Sequence, residues 1–348
     1  MFVYNEKYVS EKEGHYYSCP WIEHGVVFFQ HKIANCCMCG HMKHGGHTLI
    51  RNNYAGYIID WDRIFKVKDM YRRFHKKGKI NVNCVGCPYL KEDTWEDNGR
   101  YINKMYISHW ANCNSKCIYC FSTENPDDFF TEKKYPLLRH IKMMMDQGLL
   151  APDTEFSFGG GEPTVLDEFE DIMNYLLDNY FWGIRVHTSG IKYSPAIARA
   201  INEIRGYVVV SVDAGSKEVY EKVKRVPCYD KVRENIRKYA LNTNFVGRFL
   251  VSAKFIIIPG INDTKEEIEK WLIANQEAGL YTTVLDIEEN YYQQHKDNVP
   301  KHILDLIKYA KKRSKQLHTN FELYERLQNL FYNKKKPKFS LKTLFKRV

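Results

Sequence analysis

The sequence predicts an α/β protein, six βα units laid around a parallel sheet, with a smaller cysteine-rich region ahead of them. Two observations predict it. From Lys104 onward, short apolar strand patterns alternate with amphipathic helical ones across short connections, the order that βαβ units and a parallel sheet produce. Ahead of that, no long helical periodicity occurs before residue 60, and six of the ten cysteines (Cys19, Cys36, Cys37, Cys39, Cys84 and Cys87) precede residue 100.

Taken in order, WIEHGVVFF reads as a strand in the cysteine-rich region. MYISHW opens the repeating part, with YPLLRHIKMMMDQGLL as its helix. The next pairs are EFSFGGG with FEDIMNYLLDNY, IRVHTSG with PAIARAINEI, and GYVVVSVDAG with YDKVRENIRKYALN. FLVSAKFIIIPG with KEEIEKWLIANQEAG and YTTVLDIEEN with HILDLIKYAKKRSKQL complete the six. The remainder, FELYERLQNLFYNKKKPKFSLKTLFKRV, holds no seventh unit. The chain therefore divides into an accessory region over residues 1–100, a core over 101–315, and a C-terminal helix and basic tail over 316–348. Functional residues are expected at the C-terminal strand ends of the core.

Between the first core strand and its helix stands CNSKCIYC, in which Cys113, Cys117 and Cys120 form a CxxxCxxC triplet. Three thiolates on so short a loop can converge on one metal site, and the spacing leaves too little chain to staple a fold. A closed zinc or iron-sulfur site takes four ligands, so three leave one metal position open to a substrate or cofactor. The second core strand ends in Gly160, Gly161, Glu162 and Pro163 ahead of an amphipathic helix. Glycines let backbone approach a ligand and adopt positive φ. A carboxylate beside them can accept a charge-assisted hydrogen bond from an ammonium group.

The triplet, with Tyr119 just before its last cysteine, and the GGEP turn together resemble the radical S-adenosylmethionine (SAM) superfamily over roughly residues 104–310. The resemblance implies a partial (β/α)6 TIM-like barrel and a 4Fe-4S cluster on Cys113, Cys117 and Cys120. It implies that the open iron binds SAM and that an electron from an external flavodoxin-like or ferredoxin-like donor cleaves it. The product radical, 5'-deoxyadenosyl, would abstract hydrogen from a substrate. The same resemblance places Gly160, Gly161 and Glu162 at the methionine amino group, with Pro163 and Tyr119 beside the cofactor. Thr188 and Ser189 in VHTSG match the turn after the third strand. Ser211 and Asp213 would face the ribose or the methionine carboxylate, and Ile258 and Asn262 the adenine. Lys254 would neutralise the methionine carboxylate, or else pair with Asp213 in a buried ion pair or stand as a solvated strand end. Cys228 stands alone; it would return a hydrogen atom to a substrate radical or simply pack as a small hydrophobe.

In the accessory region two CxxC pairs, Cys36 with Cys39 and Cys84 with Cys87, provide four thiolates, enough for one closed site of zinc or iron-sulfur type. The stretch SCPWIEHGVVFFQHKIANCC followed by CVGC is also similar to part of a SPASM or twitch module, which holds auxiliary clusters. That version implies Cys19, Cys36 or Cys37, Cys84 and Cys87 as ligands of a second 4Fe-4S cluster or a zinc ion. Such modules usually follow the barrel, whereas this region precedes it.

At 348 residues, 44% hydrophobic and 27% charged, the composition is that of an ordinary globular protein with a sizeable core. The first residues carry scattered charges and no apolar signal segment, and no apolar run approaches a membrane span, so a cytoplasmic protein is expected. Cysteines grouped this closely suit metal binding in a reducing compartment. The net charge of +10 is concentrated in residues 63–79 and 332–348, leaving the rest net negative. The basic tail, with Leu341, Leu344 and Phe345 at helical spacing, is read as solvated or as a contact for a membrane surface or partner. A peptide or protein is the favoured substrate, as for a maturase. Oxidation or epimerisation of a carbohydrate or nucleotide-sugar comes second and RNA modification third. A zinc-stabilised binding module is the non-enzyme alternative.

Overall fold

The computed structural model describes residues 2–29, 32–36, 48–51, 59–85, 87, 89–95, 99–108, 110, 112–120, 136–295 and 298–324. Cys37, Cys39 and the basic tail lie outside the described residues. The fold is α/β, a largely parallel partial TIM-like barrel. The chain forms two compact units. The first comprises Met1–Asn114, Glu124–Thr188 and Ser194–Tyr207, the second Ser115–Thr123, Ser189–Tyr193 and Val208–Val348.

In chain order the first unit contains β1 (Phe2–Tyr4), β2 (Tyr16–Ser18), α1 (Pro20–His24), β3 (Gly25–Phe29), β4 (Lys32–Ala34), β5 (Thr48–Arg51) and α2 (Trp61–Lys76). It continues with β6 (Lys79–Asn81), β7 (Lys91–Asp93), β8 (Ile102–Ser108), α3 (Leu137–Asp146), β9 (Leu150–Phe158), α4 (Phe169–Asp178), β10 (Ile184–Thr188) and α5 (Pro195–Asn202). Strand β8 pairs in parallel with β9 on one side and β3 on the other, and β10 continues the parallel run beyond β9. The antiparallel strands β4 and β5 extend the sheet past β3. Thus the cysteine-rich region contributes strands to the same sheet as the core, which composition does not reveal. Phe156 and Phe158 of β9 are fully buried, and Phe158 meets Phe169 of α4 edge-on at 5.4 Å. Each such ring contributes roughly 1.5–3 kcal/mol by burial, which seats α4 on the sheet.

The second unit contains β11 (Gly206–Ser211, from Val208 on), α6 (Lys217–Lys224), α7 (Tyr229–Leu241), β12 (Val251–Ile257) and α8 (Lys265–Glu277). It ends with β13 (Thr282–Ile287), α9 (Glu289–His295), α10 (Lys301–Gln316) and β14 (Asn320–Leu323). Strands β11 to β14 run parallel in sequence order. Every residue of β13 is buried, as expected for a parallel strand covered on both faces. Helix starts follow their caps: Ser194 accepts from Ile197 N at 3.1 Å and Thr264 from Glu267 N at 3.2 Å.

Three elements differ from the sequence expectation. The first half of WIEHGVVFF is the short helix α1, because Pro20 sits at its first position and ends the extended run. Helix α6 intervenes between β11 and α7. After α10, where no further unit was expected, Asn320–Leu323 pairs in parallel with β13 as an edge strand too short to announce itself. Among the described residues no helix is long and apolar enough to cross a membrane.

Candidate functional site

In the first unit, β8 delivers the chain to Cys113 and β9 delivers the glycine turn, and backbone bonds stitch the two together. Gly159 N donates to Ile107 O at 2.9 Å, Gly161 N to Trp110 O at 3.2 Å and Glu162 N to Asn112 O at 2.8 Å. The last of these places Glu162 against the residue that immediately precedes Cys113. Gly160 has φ +91°, and a Cβ there would collide with Ser108. Gly160→Ala is therefore expected to cost about 1–3 kcal/mol, measured as a lowered thermal midpoint, because both the dihedral and the space are lost. Glu162 is buried, 2% exposed, and caps the turn Pro163–Val165. Its Oε1 accepts from Thr164 N (3.2 Å), Thr164 Oγ1 (2.6 Å) and Thr188 Oγ1 (2.6 Å). The C-terminal ends of β9 and β10 thus hold one buried carboxylate in a fixed direction. Glu162 and Thr188, both expected from the sequence, are brought together. Thr164 and Ser108 were not singled out, since nothing distinguishes a threonine or serine there until the chain has folded.

In the second unit, the rest of the cysteine loop is latched onto α6. Lys116 N donates to Lys224 O and Ile118 N to Val223 O, each at 3.0 Å, and Cys120 N closes a turn onto Cys117 O at 3.1 Å. Below this latch lies a buried polar network. Tyr119 Oη donates to Asp213 Oδ2 at 2.5 Å, and Lys224 Nζ contacts the same oxygen at 2.5 Å and Tyr119 Oη at 2.9 Å. Asp213 Oδ1 accepts from Ile256 N at 2.7 Å. Asp213 sits at φ 58°, a conformation that short polar side chains tolerate. Burial penalises the Lys224 ammonium, but the Asp213 carboxylate outweighs it and holds the group above the ordinary lysine range. Burial and then Asp213 likewise push the Tyr119 phenol well above its usual value. Asn262, fully buried, accepts from Ile258 N (2.6 Å) and donates to Asp213 O (2.9 Å) and Ile256 O (2.8 Å). Ile256 and Ile258 pack with Ile118 and Tyr119 in one apolar cluster.

Of the alternatives for Lys254, the ion pair with Asp213 is not formed. Asp213 pairs with Lys224, while Lys254 offers its backbone carbonyl to Asp213 N at 3.2 Å and its ammonium lies 5.7 Å from the Tyr324 ring centre. The reason is direction: β12 pleating aims Lys254 away, whereas α6 ends over Asp213. Nothing in the sequence marks Lys224, since a lysine in the last turn of an amphipathic helix ordinarily reads as solvated. Ser211 ends β11 opposite Lys254. Ser189 is buried, with Oγ accepting from Ile191 N at 3.4 Å. Cys228 stands at the N-cap of α7 without a side-chain capping bond.

The accessory thiols of the first unit are neighbours too. Cys84 feels the charges of Cys19, Cys36 and Cys87, and Cys19 those of Cys36 and Cys87. Burial pushes the Cys19 thiol up to about 12, opposed by hydrogen bonds from the Ile22 and Trp21 N–H groups, and it pushes Cys84 higher still. Burial and the Arg72 charge lower the nearby Lys68 ammonium to about 7. Among the described residues, no three His, Cys, Asp or Glu side chains are already gathered as a metal site. Protonated thiols have no force to draw them together until a metal replaces their protons.

A largely parallel α/β fold, with a glycine turn and a buried glutamate bonded to the residue that precedes Cys113, defines the class. Residues 107–272 match the model of the Radical SAM superfamily, and this part of the chain is a radical SAM domain. A domain of this superfamily implies SAM and a 4Fe-4S cluster. The match begins at residue 107 and does not reach the accessory cysteines. Among proteins similar in sequence is the 7,8-dihydro-6-hydroxymethylpterin dimethyltransferase of Methanocaldococcus jannaschii, 27% identical over 57% of this chain and 40% of that protein. Another is a GTP 3',8-cyclase of Clostridium botulinum, 23% identical over 51% of this chain and 54% of that protein. The chain thus spans about half, or less, of the length of these relatives. Among solved structures, Streptococcus suis SuiB bound to the precursor peptide SuiA has the same fold. It aligns with TM-score 0.51 and 13% identity over 80% of this chain and 67% of that one.

Proposed function

We propose that the protein is a radical SAM enzyme whose substrate is a peptide or protein. The observation that carries this reading is the backbone bond from Glu162 N to Asn112 O, which sets the glycine turn and its buried carboxylate beside the start of the cysteine loop. The residues present fit the cofactors. Cys113, Cys117 and Cys120 offer three thiols on an eight-residue loop, and they are exposed or half-buried rather than sealed in the core. The Cβ-free backbone at Gly160 leaves room for close approach of a ligand. On this reading the three cysteines hold the cluster, and Gly160, Gly161 and Glu162 hold the methionine end of SAM. The bound pair supplies reductive cleavage of SAM to a 5'-deoxyadenosyl radical that takes hydrogen from substrate.

The chain's own contribution is placement. Thr164 and Thr188 aim the Glu162 carboxylate so that it can accept from an ammonium group in a low-dielectric setting, where a charge-assisted bond is strong. The apolar surface of Ile118, Ile256 and Ile258 shields the underside of the loop from water. Glu162→Gln keeps the shape and removes the charge. It is expected to weaken SAM binding roughly 10-fold or more with the melting profile retained, measured by equilibrium dialysis or calorimetry on the reconstituted protein.

The choice of a peptide is supported by the precursor peptide held by SuiB, a protein of the same fold. The pterin and GTP named for the sequence relatives favour a second reading, a nucleotide-like heterocycle. The test is 5'-deoxyadenosine formation with SAM and a strong reductant, with and without added peptide libraries or nucleotides. Stimulation and mass change confined to peptides supports the first reading, and stimulation by GTP or a pterin alone overturns it in favour of the second.

A further inference from the structure

Glu267 lies in the first turn of α8, three residues after the Thr264 cap. In sequence this is TKEE, an order that ordinarily returns the glutamate to its own helix start as a capping box. The structure sends it elsewhere. Its Oε2 accepts from Gly215 N at 2.8 Å and Ser216 N at 3.1 Å, and its Oε1 from Ser216 Oγ at 2.8 Å. Those groups form the start of α6, where Ser216 is the N-cap residue and its side chain makes no capping bond within the helix. One buried carboxylate, 7% exposed, thus serves the N-terminus of a helix other than its own. The fit is close. A Cβ at position 215 would collide with Glu267 O and stand 2.8 Å from Lys270 Cβ, so glycine is what lets the turn after β11 press onto α8. Tyr229 Oη holds the same turn through Gly215 O at 2.8 Å.

The far end of α6 is the latch on the cysteine loop. Its last two carbonyls, Val223 O and Lys224 O, accept from Ile118 N and Lys116 N at 3.0 Å. Val219 and Val223 pack with Ile118 and Tyr119. The eight residues of α6 span about 12 Å, a short rod that carries a shift at one end to the other. The Asp213–Lys224 pair fixes the last turn of this rod, whereas its first turn is seated by Glu267. All of these contacts lie in the second unit. A serine alone is a preferred N-cap, so a purely local need at α6 does not call for a carboxylate from α8.

We propose that Glu267 is a positioning residue for the cysteine loop: it seats α6 against α8 and so holds Cys117 and Cys120 where a cluster takes them up. It acts through the backbone of α6 and touches neither cluster nor SAM. The inference rests on the reading of those cysteines as cluster ligands. A loop ordered beforehand lowers the conformational cost that cluster binding must otherwise meet.

The test uses the whole 348-residue chain. In the metal-free protein, Glu267→Ala is expected to speed hydrogen exchange at the Lys116 and Ile118 amides about 10-fold or more, with β12 and β13 unchanged. Glu267→Gln, which can still accept from both N–H groups, is expected to fall between the parent and Glu267→Ala. Ser216→Ala, which removes one bond of the three, is expected to move the same amides in the same direction by less. After anaerobic reconstitution, Glu267→Ala is expected to lose iron to a chelator about 10-fold faster than the parent, and Glu267→Gln to restore most of the retention. Faster exchange confined to residues 215–219, with the loop amides and iron loss unchanged, overturns the proposal and leaves Glu267 a local cap. Where Glu267→Ala does not fold, Glu267→Gln and Ser216→Ala decide by the same amides. A parent chain that takes up no four-iron cluster overturns the reading of the cysteines instead, and exchange at Lys116 and Ile118 still decides whether Glu267 holds the loop.

Discussion

Replacing Cys113, Cys117 and Cys120 together by alanine is expected to abolish 5'-deoxyadenosine formation from SAM and to lower iron by one four-iron cluster, with the fold preserved. The fold survives because backbone bonds hold the loop in the second unit. The latch consists of the backbone bonds from Lys116 to Lys224 and from Ile118 to Val223, and beneath it stand Tyr119 and the isoleucine cluster. The backbone bonds and the isoleucine cluster remain, and only the side-chain bond between Cys117 and Tyr119 is lost. Loss of an open cluster, by contrast, removes both the electron entry and the anchor for SAM, so the expected effect is complete rather than graded. Anaerobic reconstitution, iron and sulfide assay, product chromatography and a thermal melt decide it together. Turnover by a properly folded triple variant sinks the assignment of the core site.

Lys224→Met should produce the largest loss of stability in the second unit, about 3–5 kcal/mol, because it strands the Asp213 carboxylate where both partners are almost fully buried. The same substitution takes a donor from Tyr119 Oη and so loosens the loop that carries Cys117 and Cys120. Two readouts separate these effects. Denaturant unfolding of the metal-free protein reports the ion pair, and the fraction of cluster lost under chelator reports the loop. The double variant Asp213→Asn, Lys224→Met removes both charges and keeps a side chain suited to positive φ, so it should recover most of the lost stability. A single variant as stable as the parent would mean that the pair carries no weight. Failure of the double variant to recover would mean that packing of the lysine stem, not charge, is what matters.

Much of the site was legible in advance for a chemical reason. Three thiols on an eight-residue loop and a carboxylate set among glycines state their chemistry locally, because metal coordination and close backbone approach depend on residue type and short spacing. The core strands were legible because a parallel strand buried on both faces is a continuous apolar run, as in β12 and β13. Short elements were not: α1 and β14 are too brief for a periodicity to form, and their state is settled by Pro20 in one case and by a ready sheet edge in the other.

The sequence by itself determined the class of chemistry, the cysteine loop, the glycine turn and the alternating α/β plan, since each rests on neighbours along the chain. Only the tertiary structure decided which charges meet. It gave Asp213 to Lys224 rather than Lys254, joined Thr188 to Glu162, and set Lys68 among neutral acceptors. Electrostatic partnership depends on distance through space and on burial, and neither is written in the order of residues.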